Sequence, residues 1–183
     1  DLETMQSWAW DPQVYSGLAG GAIYSLMARE FAPLPERMKS AISRIEKIPQ
    51  VYAAARANLD PARVPKIHAE TVAKQNRGIL SLVDSFIVPH IGELEAADQQ
   101  RLNAALETLR SEVASYQEWL DKTLVPNAKG EFRIGAERYD QKLKFSLNSS
   151  LSRAEIGERA RAELARVRQD MYRIAQTVLK DKP

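Results

Sequence analysis

Cysteine is missing from this chain, which removes disulfides, thiolate nucleophiles and cysteine-based zinc sites together. Histidine is almost missing. His68 and His90 are the only two; neither lies in a H-E-x-x-H motif, and Pro65 and Ile87 stand where a di-iron bundle would need a glutamate. No residue is therefore predicted to ligate a metal, and no cofactor site is expected in this chain. No G-x-S-x-G is present, so no residue is assigned a catalytic role. Charge of one sign is missing too: Lys+Arg 26 against Asp+Glu 24 leaves +2, without a long run of like charge, so no basic face for nucleic acid is expected. No apolar run approaches the roughly 18–20 residues that span a bilayer, and no signal peptide is recognisable.

What is there is helical. The chain of 183 residues is expected to form a single helical domain over 1–183, large enough to bury a core without staples. Because it opens on Asp1, it reads as a piece of a longer protein or a processed chain. Asp11-Pro12 opens a first helix that carries Gly17, Gly20 and Gly21 toward Glu30. Glycines in a helix cost up to ~1 kcal/mol each. Two reasons for them stand open: close packing of another helix, or a ligand passing over that face. Met38, Ala41, Ile42, Ile45 and Ile48 form one amphipathic stripe, and Val51–Leu59 a shorter helix before Pro61. One helix is predicted from about Lys66 to Val88, with Asn76 as a buried polar group on its apolar stripe and Gly78 as a place for a close crossing.

Leu102, Leu106, Leu109, Val113, Tyr116 and Leu120 step by four and three, predicting a helix from near Ala96 to Leu124 that stops before Pro126. Tyr139, Leu143 and Leu147 mark another helix, broken at Asn148-Ser149-Ser150. Ser152 and Glu155 form a capping-box signal ahead of a stripe of Ile156, Ala160, Leu164, Val167, Met171, Ile174 and Val178. Such stripes are expected to face one another. The fold class predicted is all-α, an antiparallel bundle of about six to seven helices with one short extended, hairpin-like loop near 130–135.

That loop is the candidate functional surface. Gly130-Glu131-Phe132-Arg133-Ile134-Gly135 has the glycine spacing of a P-loop, but Ala136-Glu137 stands where Lys and Ser/Thr are required, so the phosphate reading fails. Arg133 and Arg138 could meet a carboxylate bidentately, Tyr139 offers a ring and a hydroxyl, and Gly135 allows close approach. These four are the predicted cleft-lining residues. The other reading is a plain connector whose Phe132 and Ile134 plug the core.

Trp10-Asp11-Pro12 with Tyr15, Arg37-Met38, Arg44, Ile48-Pro49 and Ala53–Leu59 follow one another in the first third of the chain. Tyr116, Trp119-Leu120, the 130–135 loop with Tyr139, and the Leu151–Met171 helix follow later. In this order and spacing the chain resembles the bacterial family of domain of unknown function 885, across nearly its whole length. Members are typically about three times as long and look like helical zinc metallopeptidases with a H-E-x-x-P-G-H type helix further on; many carry lipoprotein or export signals. The resemblance implies that this chain is the N-terminal-to-middle scaffold and substrate-cleft portion of such a zinc-dependent peptidase or hydrolase. It would be inactive alone, would pair with a missing C-terminal catalytic part, and would meet a peptide substrate. Zinc is implied only for that missing part, and an exported or lipoprotein-anchored location for the whole. Since no zinc motif occurs here, no ligand or base is carried onto any residue of this chain. The alternative is a self-contained helical interaction or ligand-binding module without enzymatic activity.

Overall fold

Regular structure in the computed structural model, which describes residues 2–180, is helical apart from one isolated bridge. Two single turns, Leu2–Met5 and Ser7–Trp10, precede helix α1 (Gln13–Met27). Asp11 Oδ1 accepts from the Gln13 N–H at 3.1 Å, so the Asp-Pro pair opens the helix as its sequence implies. Helix α2 (Leu34–Ile45) buries the predicted Met38, Ala41, Ile42 and Ile45. On the same helix Arg37 is buried, and its guanidinium donates to the carbonyls of Leu26, Met27 and Ala32. These include the last carbonyls of α1, which have no partner within their own helix and lie at its negative end. Helix α3 (Ile48–Asn58) follows with Pro49 in its first turn, where a missing N–H costs nothing.

The single helix predicted over Lys66–Val88 is two: α4 (Lys66–Gln75) and α5 (Gly78–Phe86). The break falls at Asn76-Arg77. Asn76 is buried as expected, and its amide donates to Val113 O at 3.0 Å and Gln117 Oε1 at 3.1 Å on the next long helix. A methyl on Gly78 would meet nothing within 4 Å, so the close crossing expected there is absent.

Helix α6 (Ala96–Trp119) buries Leu102, Leu106, Leu109, Val113 and Tyr116, the predicted stripe. It does not stop before Pro126. A π-helical turn over Leu120–Leu124 carries the chain into a last helical turn, Val125–Asn127, that contains the proline. The Val125 N–H donates to Leu120 O, one residue further back than in an α-helix. Pro126 has no N–H to give, and its ring would press on the carbonyl four residues earlier in a regular helix; the wider turn makes room for it.

The described residues divide into two compact units, 6–133 and 134–180, Glu3–Met5 grouping with the second and Leu2 with the first. The contiguous apolar core lies in the first unit, between Tyr15 and Ala128. There α1 packs on α2, α3 and α5, while α6 packs on α2 and α3. Fully buried Ile23, Ile42, Ile45, Leu102 and Leu109 each contribute roughly 1.5–3 kcal/mol of burial. Tyr52 and Tyr116 stack with ring centroids 4.3 Å apart, Trp119 continues the stack at 5.5 Å, and the Arg56 guanidinium sits 5.4 Å from the Tyr116 ring centroid.

The hairpin-like loop predicted near 130–135 does not form: residues 131–135 carry no strand, and the one extended contact among the described residues is a parallel bridge between Gly130 and Pro65, closed by Gly130 N–H to Val64 O at 2.8 Å and Lys129 N–H to Pro61 O at 3.0 Å. Here a glycine is required by contact. A Cβ on Gly130 would lie 2.0 Å from Arg63 O and 2.7 Å from the Val64 carbonyl carbon.

In the second unit, α7 (Ala136–Leu147) ends at Asn148 in the left-handed region, and α8 (Arg153–Val178) begins on the predicted capping box of Ser152 and Glu155. Arg153 pairs with Asp140 across the turn. The stripe of α8 is where periodicity predicts it, but α7 does not bury it. Leu164, Met171, Ile174 and Val178 are more than half exposed, and no residue of α7 or α8 is buried. Spacing decides which face is apolar; it does not decide that a partner lies against it.

Candidate functional site

The four residues singled out by sequence do not fall in one unit. Arg133 closes the first, while Gly135, Arg138 and Tyr139 belong to the second. The Arg133 guanidinium lies 4.4 Å from the ring centroid of its neighbour Phe132 and 3.6 Å from Glu131 Oε1. Phe132 is half exposed, so the connector reading in which it plugs the core does not hold. Gly135 caps α7 with φ of +80°, a conformation that side chains disfavour, and its carbonyl accepts from the Tyr139 N–H at 3.1 Å. Arg138 and Tyr139 are exposed on the first turns of α7.

A more enclosed feature lies in the first unit, where α1, α3, α4 and α5 leave a half-open cavity of about 360 Å³. Its α1 wall is Gln13, Ser16, Gly17 and Gly20. Close helix packing does not account for these glycines. A methyl on Gly17 or Gly21 would meet nothing within 4 Å, and one on Gly20 would make only ordinary contact with Leu82 at 3.7 Å. The glycines keep open space open. Across from them, Ile79 and Leu82 supply the apolar side and Gln75 and Asn76 two carboxamides. None of the described residues lining it is charged.

Two polar side chains at this cavity are largely buried as residues and incompletely used. Asn76 directs both amide hydrogens at α6, as the acceptors there dictate: Val113 O is a carbonyl, and Gln117 gives its own amide to the Asp121 carboxylate, leaving only its oxygen for Asn76. Asn76 Oδ1 is left without a hydrogen bond. Tyr52 is 2% exposed, and its hydroxyl also makes no hydrogen bond to the protein. Burial pushes the Tyr52 phenol up to about 12, against a smaller opposing pull from Arg56, so it is a neutral O–H donor. Its stacking partner Tyr116 is pushed up for the same reason, but the Tyr116 hydroxyl is sealed in the core without a partner.

A second groove, between α5 and α6, is wider and charged, but its ions are largely paired with one another: Arg110 with Asp84 and Lys122 with Glu118. The histidines are dispersed. His68 Nδ1 lies 3.5 Å from Asp11 and His90 Nδ1 lies 2.8 Å from Glu93. Among the described residues no three histidine, aspartate or glutamate side chains gather where they could hold a metal ion. No helix among them is long and apolar enough to cross a membrane.

The sequence singles out Asn76 and the glycines but not their meeting, and Tyr52, Gln13 and Gln75 carry no local signal of a site. The available signal was three helical glycines with no packing reason, and it was ambiguous until Gly17 and Gly21 were seen to face empty space.

The fold and cavity define an all-α helical protein with a neutral, partly enclosed pocket and no metal centre in the described residues. The chain belongs to the family of bacterial proteins of unknown function DUF885, which it matches over residues 1–182. Among solved structures it is similar to a candidate lipoprotein of unknown function from Shewanella oneidensis, at 26% identity and a TM-score of 0.73. The match covers 97% of this chain and 33% of that one, so the chain spans about a third of its solved relative. No curated protein matches it.

Proposed function

We propose that this chain is the helical scaffold and cleft wall of a larger zinc-dependent peptidase or hydrolase, without activity by itself. The observation that carries the scaffold reading is the bare apolar stripe of α8 in a chain that spans a third of its solved relative. A 26-residue helix with Leu164, Met171, Ile174 and Val178 open to water is a face built to be covered. The remaining part of a longer protein is the partner offered for it, and peptide the substrate. The hydrolase assignment rests on the family resemblance alone, as does an exported or lipoprotein-anchored location. The relative's description as a lipoprotein agrees with that location. Arg133, Gly135, Arg138 and Tyr139 are proposed to face the cleft, as lining rather than as catalytic residues.

The test is the native reading frame beyond Pro183. It is expected to continue into a H-E-x-x-x-x-H helix, and a stop codon there overturns the proposal. The same reading expects no stoichiometric zinc in this chain after dialysis; one zinc per chain would contradict it. The self-contained ligand-binding module is the second reading, since the neutral cavity beside α1 would hold a ligand in either setting.

A further inference from the structure

The cavity between α1, α3, α4 and α5 has a chemistry narrow enough to name its ligand. Asn76 Oδ1 is an acceptor without a donor, and the Tyr52 hydroxyl is a donor without an acceptor. Both side chains are more than nine-tenths buried, and both line the same space. Neither sits there by default. Tyr52 is clamped by its stack on Tyr116, and Asn76 by its two hydrogen bonds to α6. Neither atom is sealed from the cavity, so each is open to a hydrogen bond from a complementary ligand.

One unused acceptor and one unused donor on the lining of one cavity are the complement of an amide, which offers one N–H and one C=O. The rim agrees. Gln13 and Gln75 are carboxamides that can both give and accept, and Ser16 adds a hydroxyl. With no charged residue in the described lining, a ligand's own charge would enter the cavity uncompensated. Ile79 and Leu82 take an apolar substituent, and Gly17 leaves the backbone of α1 bare for close approach. We propose that this cavity binds an uncharged amide carrying an apolar side group, as in an internal segment of a peptide. The volume of about 360 Å³ lies at the small end of ligand sites, which suits a group of about one or two residues. As a ligand chemistry it deepens the reading of this chain as a cleft wall, on which its biological setting rests. The two nonetheless fail separately, because binding is measured on the 183-residue chain and requires no hydrolysis.

The probe is N-acetyl-leucinamide, titrated into the labelled chain and followed by the backbone amide resonances of Gly17, Gly20 and Gly78, with N-acetyl-leucine and leucinamide as charged controls. Saturable shifts at the three glycines in the millimolar range are expected for the neutral amide, with each control weaker by about tenfold. Tyr52→Phe removes the donor and keeps the stacked ring, and is expected to weaken binding roughly three- to tenfold. Gly17→Leu projects into open space, so it is expected to keep the helix content and abolish binding. It serves as the deciding variant should Tyr52→Phe fail to fold. No saturable shift at the glycines, equal affinity for the charged controls, or undiminished binding in both variants would overturn the proposal.

Discussion

Replacing Gly130 by alanine puts the only backbone bridge in the first unit under direct strain. The new methyl would lie 2.0 Å from Arg63 O and 2.3 Å from the Arg63 carbonyl carbon, both backbone atoms that no rotamer change can move. Relief requires the two bridged segments to part by about an ångström, which breaks Gly130 N–H to Val64 O and Lys129 N–H to Pro61 O. Two such bonds contribute about 1 kcal/mol each, and the residual overpacking adds about 1–2 kcal/mol, for a total of about 3–4 kcal/mol. Urea unfolding followed by tryptophan fluorescence reads the relevant unit, since Trp8, Trp10 and Trp119 all lie within residues 6–133. A lower midpoint at unchanged slope is the expected result. Gly21→Ala is the control: its methyl meets nothing, and it is expected to stabilise α1 by about 0.5–1 kcal/mol. A Gly130→Ala protein within about 0.5 kcal/mol of the parent would refute the reasoning, because the bridge would then be free to open at no cost.

Alkaline stability follows from the tyrosine stack. The Tyr52 phenol is pushed up to about 12 by burial, so the folded protein keeps a proton that the unfolded chain releases near 10, and the stabilisation present below pH 10 is lost as pH rises through 12. The Tyr52 contribution is on the order of 2–3 kcal/mol, and Tyr52→Phe is expected to flatten the decline in urea midpoint between about pH 10 and 12; an equally steep decline in that variant would contradict it. On α8, Ile174→Lys is expected to leave the thermal midpoint of this chain within the roughly 0.5 kcal/mol typical of surface changes, since Ile174 is 59% exposed. In a longer protein that contains the covering part, the same substitution is expected to lower the midpoint, and an unchanged one there would mean that the stripe stays bare.

Much of the fold was legible from spacing because helical periodicity is a local property. Met38 to Ile45, Leu102 to Tyr116 and the Ser152 capping box each declare themselves within a few turns. The misread boundaries have long-range causes. The break at Asn76 goes with hydrogen bonds to Val113 and Gln117 on α6, and Pro126 stays in its helix only because a π-helical turn widens to admit it. Neither is visible in a window of neighbouring residues.

The candidate site divides in the same way. Sequence alone determined the all-α class, the lack of cysteine chemistry and of a H-E-x-x-H helix, and the special demand on the loop at Gly130, because each follows from residue type and local order. Tertiary structure decided what the glycines are for. Gly130 is forced by the Arg63 backbone pressing on it, whereas Gly17 faces a cavity whose other walls, Tyr52 and Asn76, come from distant turns of the chain. A glycine records that a side chain is absent, but only the packed chain shows whether the space it leaves is filled or open.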